Sequence, residues 1–204
     1  MKIVTIANVS SEVALDIAAR YRYVELRLDL LSLTLPEIIS IIKVADCTIL
    51  TALQEVNIPP YLHPKIIVDI PIEQVGIFAT LPNVRTQLSF HNWDKSIPIA
   101  SMLDTLQTQC YANNIADGLA SFTYIKLATP IDTEVELSEL FSLFASEYLG
   151  RLVLVPLGES YSSARLRSMD LGSPYMFFYY DKAVVAGQLW VEDNPSPTSL
   201  LKLG

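Results

Sequence analysis

The stretch SFTYIKLATP, Ser121 to Pro130, reads as a buried β-strand, with β-branched and aromatic residues bounded by a proline, yet Lys126 stands in its middle. An ammonium among apolar neighbours costs several kcal/mol unless it is paired or gives up its proton. A lysine in an apolar, partly cationic pocket keeps a useful fraction of neutral amine. Neutral amine attacks a ketone or aldehyde to give an imine, which acts as an electron sink for the adjacent carbon. The alternative is a buried stem whose head snorkels to water.

Other polar residues fall where a strand would carry them. In VELRLDLL, the period-two alternation of a strand puts Glu25, Arg27 and Asp29 on one face and Leu26, Leu28 and Leu30 on the other. Charges alternating along one face are costly as interior filler, so they mark either a site or a salted edge strand. His91 ends the segment LSFH, where a histidine serves as an acid–base group or as a hydrogen-bonded structural residue. His63, in a proline-rich loop, takes the structural reading. Two histidines and no HExxH argue against metal chemistry, and no metal or other cofactor is expected. Arg165, in GESYSSARLRS, has the planar fork that suits a carboxylate, and Gln188 follows Gly187 in AGQL.

These residues need a scaffold. Strand patterns run over Lys2–Asn8, Tyr23–Leu31, Cys47–Leu53, Lys65–Pro71, Thr86–Trp93, Phe122–Thr129, Arg151–Leu157 and Tyr175–Tyr180. Helical periodicity with start signals lies between many of them: Ser10-Ser11 before EVALDIAARYR, Thr34 before LPEIISIIKVA, Ser96 before IPIASMLDTLQTQCYA. Asp132-Thr133 open EVELSELFSLFASEYL, which is expected to end at Gly150. The crossover after the third strand, QEVNIPPYLHP, is proline-rich and too short for a full helix. Near-continuous apolar strands alternating with helices imply a parallel sheet covered on both faces. Eight such units predict an α/β fold, a (β/α)8 TIM barrel with a shortened crossover after strand three. One catalytic domain is expected over residues 1–190, with 191–204 as a tail or linker.

Composition narrows the function. In 204 residues, 51% are hydrophobic and 18% charged, which excludes disorder. No apolar run reaches the eighteen or so residues of a membrane span, and the N-terminus reads as a first strand rather than a signal peptide. A net charge of −8 argues against nucleic acid as partner. Cys47 and Cys110, far apart and outside any CxxC, suit a reducing compartment, so a soluble cytoplasmic protein is expected. No GxGxxG or GxxxxGK[ST] fingerprint is present.

Taken in order, the motifs are ExRxD on strand two, SxH at the end of strand five, IKxAT on strand six, R-x6-GS after strand seven and GQ after strand eight. This set resembles the type I 3-dehydroquinate dehydratase family, Schiff-base lyases of the shikimate pathway of aromatic amino-acid biosynthesis. The resemblance implies that Lys126 condenses with the C3 ketone of 3-dehydroquinate. It implies that His91 moves protons at C2 and at the departing C1 hydroxyl, a two-way role that a base with histidine's ordinary pKa near 6.5 can serve. It implies that Glu25 and Arg27 meet ring hydroxyls and that Arg165 and Gln188 clamp the carboxylate. Thr5 matches, loosely, a serine lining the family pocket.

The sequence departs from the family pattern at several positions. Leu53 stands where the family's FTxRS arginine is found, and Glu55 aligns with the glutamate that supports the histidine only across a two-residue deletion. Val184 replaces a serine, and Ala186 a proline, ahead of GQ. Two other functions fit parts of the pattern: a degenerate barrel that binds ligand or acts as a scaffold without turnover, and another Schiff-base barrel enzyme of aldolase type. The expected partner is a small-molecule substrate. A homodimer, and fusion to or association with a shikimate dehydrogenase domain, remain open from the resemblance.

Overall fold

Strand β1 (Lys2–Ile6) pairs in parallel with β2 (Tyr23–Arg27), and β2 with β3 (Cys47–Thr51). The parallel ladder continues through β4 (Ile66–Pro71), β5 (Arg85–His91), β6 (Tyr124–Pro130) and β7 (Leu152–Leu157). On the other side of β1 lies β8 (Met176–Tyr179), followed by the two-residue β9 (Leu189–Trp190). The computed structural model describes residues 1–51, 59–80 and 84–192, leaving aside the side chains of 77–80. The strand order β7-β6-β5-β4-β3-β2-β1-β8-β9 makes a curled, wholly parallel sheet, a TIM-barrel-like α/β fold. Because β8 pairs with both β1 and β9, the unjoined edges among the described residues are β7 and β9, and the wall carries a seam between them.

The helices begin where the sequence signals place them. Helix α1 (Ser11–Tyr21) is capped by Ser10, whose Oγ accepts from the Val13 amide. Helix α2 (Leu35–Val44) opens with a Thr34–Glu37 capping box and Pro36 in its first turn. Helix α3 (Met102–Ala112) begins later than Ser96 suggests, because a 3-10 turn at Ile99–Ser101 leads into it. Helix α4 (Glu134–Ser142) has a Thr133–Glu136 capping box. It stops short of Gly150: Leu143–Ala145 tighten into a 3-10 turn, and Ser142 Oγ donates back to the Glu139 carbonyl instead of leaving the backbone to propagate. Helix α5 (Ala164–Asp170) follows β7. In the crossover after β3 the described part is a 3-10 helix, Pro60–Lys65, and β4 leads into another, Ile72–Thr80. None of the helices among the described residues is long and apolar enough to cross a membrane.

Alternation sorts the strand residues. Val24, Leu26, Leu50, Leu88, Ile125, Leu127, Leu152 and Leu154 are buried towards the helical layer. Each such aliphatic side chain contributes roughly 1.5–3 kcal/mol on burial. The inward set is different in kind. Thr5, Glu25, Asp69, Gln87, Ser89 and Lys126 are all buried, and the register sets Thr5 beside Glu25, Asp69 beside Gln87 and Ser89 beside Lys126. A barrel interior this polar is expensive unless the groups satisfy one another or a ligand.

Strand β2 ends earlier than its alternating charges suggest. Asp29 lies in a turn beyond Arg27, where it takes that guanidinium and still borders the same cavity as Glu25 and Arg27.

Candidate active site

Of the inward polar residues, Thr5, Glu25 and Lys126 line a cavity of about 310 Å³ at the C-terminal ends of the strands, where TIM barrels carry their chemistry. Thr5, Glu25, Arg27, His91, Lys126, Arg165 and Gln188 all border it, so residues spread over most of the sequence meet in one place. Leu53 and Glu55 lie outside the described residues.

Lys126 projects from the middle of β6 with its Nζ 3.6 Å from Asp69 Oδ2 and 4.7 Å from the centre of the Phe177 ring. Its surroundings therefore differ from the apolar, partly cationic pocket read from the sequence: a buried carboxylate on β4 balances the ammonium. That carboxylate is held from below. Gln87 Nε2 donates to Asp69 Oδ1 at 2.8 Å, and the buried Tyr175 hydroxyl donates to Gln87 Oε1. Tyr175 is fixed in turn by edge contacts with Tyr124 and Phe177, at centroid separations of 5.0 and 5.8 Å.

His91 ends β5 within the same pocket, its ring stacked on Trp93 at 5.4 Å with an interplanar angle of 6°. Burial, then the positive charge of Lys126, pull its pKa from 6.5 down to about 4, with Asp69 opposing and Arg27 adding to the fall. The imidazole is thus neutral at pH 7, free to accept a proton, and more strongly perturbed than a strand-end histidine read from sequence.

On the other wall, the Thr5 hydroxyl donates to Glu25 Oε2 at 2.7 Å and the Thr51 hydroxyl to Oε1 at 2.9 Å. Gln188 Nε2 donates to Thr5 Oγ1 at 3.0 Å, and its Oε1 accepts from the Val184 amide at 3.0 Å. The glutamine is thereby oriented, with one amide hydrogen still without a partner among the described residues. Arg27 forks onto Asp29, Nε to Oδ1 at 2.8 Å and Nη2 to Oδ2 at 2.6 Å. That ion pair lifts the guanidinium pKa further and lowers the carboxyl's.

Arg165 is fully buried on α5. Its Nε donates to the Pro156 carbonyl and its Nη2 to the Ala186 carbonyl, each at 3.1 Å, while Nη1 has no partner among the described residues. No carboxylate pairs with it there, and burial lowers its pKa to about 10. A guanidinium in this state, bordering a cavity, is built to receive an anion.

The sequence singled out neither Asp69 nor Gln87, although each carries the signal that marked Lys126: a polar side chain inside an apolar strand. Trp93 and Thr51 were also passed over, and nothing in their local sequence distinguishes them from surface or filler residues.

No protein-family model matches the sequence, and no curated protein matches it either. The fold does match solved structures. A 3-dehydroquinate dehydratase from Aquifex aeolicus VF5 superposes with a TM-score of 0.70 at 19% identity, over 95% of this chain and 94% of that one. A 3-dehydroquinate dehydratase from Geobacillus kaustophilus HTA426 gives 0.74 at 14% identity, over 98% and 90%. A type I 3-dehydroquinate dehydratase from Clostridium difficile, with covalently modified comenic acid, gives 0.66 at 15% identity, over 99% and 90%. The chain therefore shares, nearly end to end, the fold of 3-dehydroquinate dehydratases of known structure.

Proposed function

We propose that the protein is a 3-dehydroquinate dehydratase, a lyase that converts 3-dehydroquinate to 3-dehydroshikimate and water through an imine on Lys126. The observation that carries this reading is the grouping in one cavity of an amine, a neutral imidazole and a buried arginine with a spare donor. Those are the three groups that an imine-assisted elimination from a keto acid requires.

Arg165 Nη1, helped by the remaining amide hydrogen of Gln188, receives the substrate carboxylate and so directs the ring. Glu25 and Arg27 face its hydroxyls. Lys126 adds to the C3 carbonyl and water leaves, giving an iminium. The iminium draws electrons from the adjacent C2–H bond, and His91 takes that proton. The resulting enamine pushes out the C1 hydroxyl, which departs as water with the proton His91 returns. Hydrolysis of the imine frees product and amine. A base held neutral at pH 7 suits the first step, and the cation it becomes is acidic enough for the second. On this reading residues 1–190 form the catalytic domain of a cytoplasmic enzyme.

The test is an ultraviolet assay for the conjugated enone with 3-dehydroquinate as substrate. Absence of the enone signal, with ligand-induced stabilisation still present, favours the second reading, a barrel that binds without turnover. Val184 in the cavity wall, where the family pattern has a serine, is the observation behind that alternative.

A further inference from the structure

The groups facing Lys126 come from several elements: Asp69 on β4, His91 on β5, Glu25 and Arg27 on β2, and Arg165 on α5. Asp29 sits behind Arg27, and Tyr175 and Tyr124 lie beneath. Of the carboxylates, Glu25 has both oxygens occupied by hydroxyl donors and Asp29 has both occupied by Arg27. Asp69 is different. Its Oδ1 is committed to Gln87, while Oδ2 accepts no hydrogen bond among the described residues and lies 3.6 Å from Lys126 Nζ.

The chain behind Asp69 fixes which way every group faces. Burial holds the Tyr175 phenol well above its ordinary pKa, so it stays a donor. The Tyr175 hydroxyl occupies Gln87 Oε1, which turns the Gln87 NH2 towards Asp69 and leaves Oδ1 no role but acceptor. All three side chains are buried, Asp69 being 2% exposed and Gln87 and Tyr175 wholly inaccessible. A network satisfied from its far end, with one oxygen left over beside an amine, is organised around that oxygen.

We infer that Asp69 is the proton acceptor and counter-ion of Lys126, with Gln87 and Tyr175 as its positioning residues. The inference deepens the proposed imine chemistry and, for the proton shuttle, rests on it. The Nζ–H bond of the ammonium breaks and an O–H bond forms at Asp69 Oδ2. The freed lone pair attacks the carbonyl carbon, the carbonyl π pair moves to oxygen, and a proton passes from nitrogen to that oxygen to give the carbinolamine. Asp69 then returns its proton to the carbinolamine hydroxyl, which leaves as water as the nitrogen lone pair forms the C=N bond. Ammonium plus ketone has become iminium plus water, and Asp69 is again an anion, now opposite the iminium.

The experiment pairs two readouts on Asp69→Asn. The first is competitive acylation by acetic anhydride across pH, with the label on Lys126 read by peptide mass spectrometry. The second is borohydride trapping of Lys126 with 3-dehydroquinate. The buried carboxylate 3.6 Å away holds the ammonium, so Asp69→Asn frees the amine for the reagent and raises acylation of Lys126 several-fold at neutral pH. Trapping, which also needs the shuttle, falls by about tenfold or more. Tyr175→Phe keeps the ring contacts, loses only the hydroxyl that orients Gln87, and moves both readouts in the same senses by a smaller factor; it also serves if Asp69→Asn does not fold. A purely structural role moves acylation and trapping together, and that result, or no change in either, overturns the inference. If acylation responds as stated but the unaltered protein is never trapped, Asp69 stands as the counter-ion and it is the dehydratase reading that falls.

Discussion

Removing the His91 imidazole changes how the fold responds to acid. Its pKa drops from 6.5 to about 4 on folding, because the barrel wall desolvates the imidazolium and Lys126 repels it. Below 6.5 the unfolded chain therefore binds a proton that the folded chain refuses. Stability contributed by the neutral ring is complete above about pH 6.5 and is lost as pH falls, until near pH 4 the folded form protonates too. At about 1.4 kcal/mol per unit, the whole window is worth roughly 3 kcal/mol, of which about 2 kcal/mol is lost between about pH 7 and pH 5. For a chain of this size that is a Tm difference of about 4–8 °C. The comparison is urea unfolding of the unaltered protein and of His91→Gln at the two pH values. Carboxylates whose pKa is lowered by pairing, such as Asp29 and Glu136, also weaken the fold on acidification, but they do so in both proteins and cancel in the difference. The unaltered protein should lose about 2 kcal/mol more than His91→Gln. Parallel losses in the two proteins would mean that His91 titrates near its ordinary value and that the cavity wall does not desolvate it. The kinetic counterpart is an acid limb of kcat/KM near 4 rather than near 6.5.

Borohydride with 3-dehydroquinate should leave a covalent adduct on Lys126; an adduct on Lys95, which is tied to Asp132 and Glu136, or on Lys182 would move the chemistry elsewhere. Arg165→Lys keeps a positive charge but not the fork that meets two carbonyls and still has a donor to spare, so KM should rise by about ten-fold or more; an unchanged KM would place the substrate carboxylate away from Arg165. Val184→Ser adds a hydroxyl donor to the cavity wall with little change in volume and should raise kcat/KM, at most by roughly ten- to a hundred-fold; no effect would mean that another group already completes the clamp. Gly187→Ala would set a Cβ 2.1 Å from the Gly158 carbonyl oxygen at a residue with φ +74°, so the segment carrying Gln188 must shift; KM should rise while urea stability changes far less, and an unchanged KM would separate this segment from binding.

The strands were legible because apolar runs bounded by turn residues leave few alternatives in an α/β chain, and Lys126 was legible because a charge inside such a run has no innocent explanation. The same logic applied to KIIVDIP and RTQLSFH would have marked Asp69 and Gln87. They are less conspicuous because neither sits in a motif with a recognisable chemical spacing, and because glutamine carries no charge to announce a burial cost. The end of β2 was less legible than the residues it carries, for a different reason. Period two holds only while the backbone stays extended, and at residues 28 and 29 the chain turns, which the sequence pattern does not reveal. The sequence overstates the length of helix α4 because its apolar spacing continues through Phe144 and Tyr148, which pack on the core from 3-10 and turn geometry as readily as from a helix. Strand β9, at two residues, is below the length at which any period can be read.

The seam between β7 and β9 gives these pieces a common logic. Where a continuous ladder would lock the two strands, the link is made by Arg165 instead, which joins the Pro156 carbonyl of β7 to the Ala186 carbonyl of the segment leading to β9. The Gly158 amide reaches the same Ala186 carbonyl from 3.5 Å. On the far side, Gln188 ties that segment through Thr5 to Glu25, and so to β1, β2 and, by Thr51, β3. The two polar arms meet at a stretch of a few residues that is held by hydrogen bonds to side chains more than by sheet pairing. An anion accepted by the spare donor of Arg165 would therefore do two things at once. It would compensate a buried positive charge, and it would fasten a part of the wall where, among the described residues, no ladder runs. Binding energy at the carboxylate is thus available for ordering the site around Lys126 and His91, and a ligand lacking the carboxylate would forfeit that ordering as well as a contact.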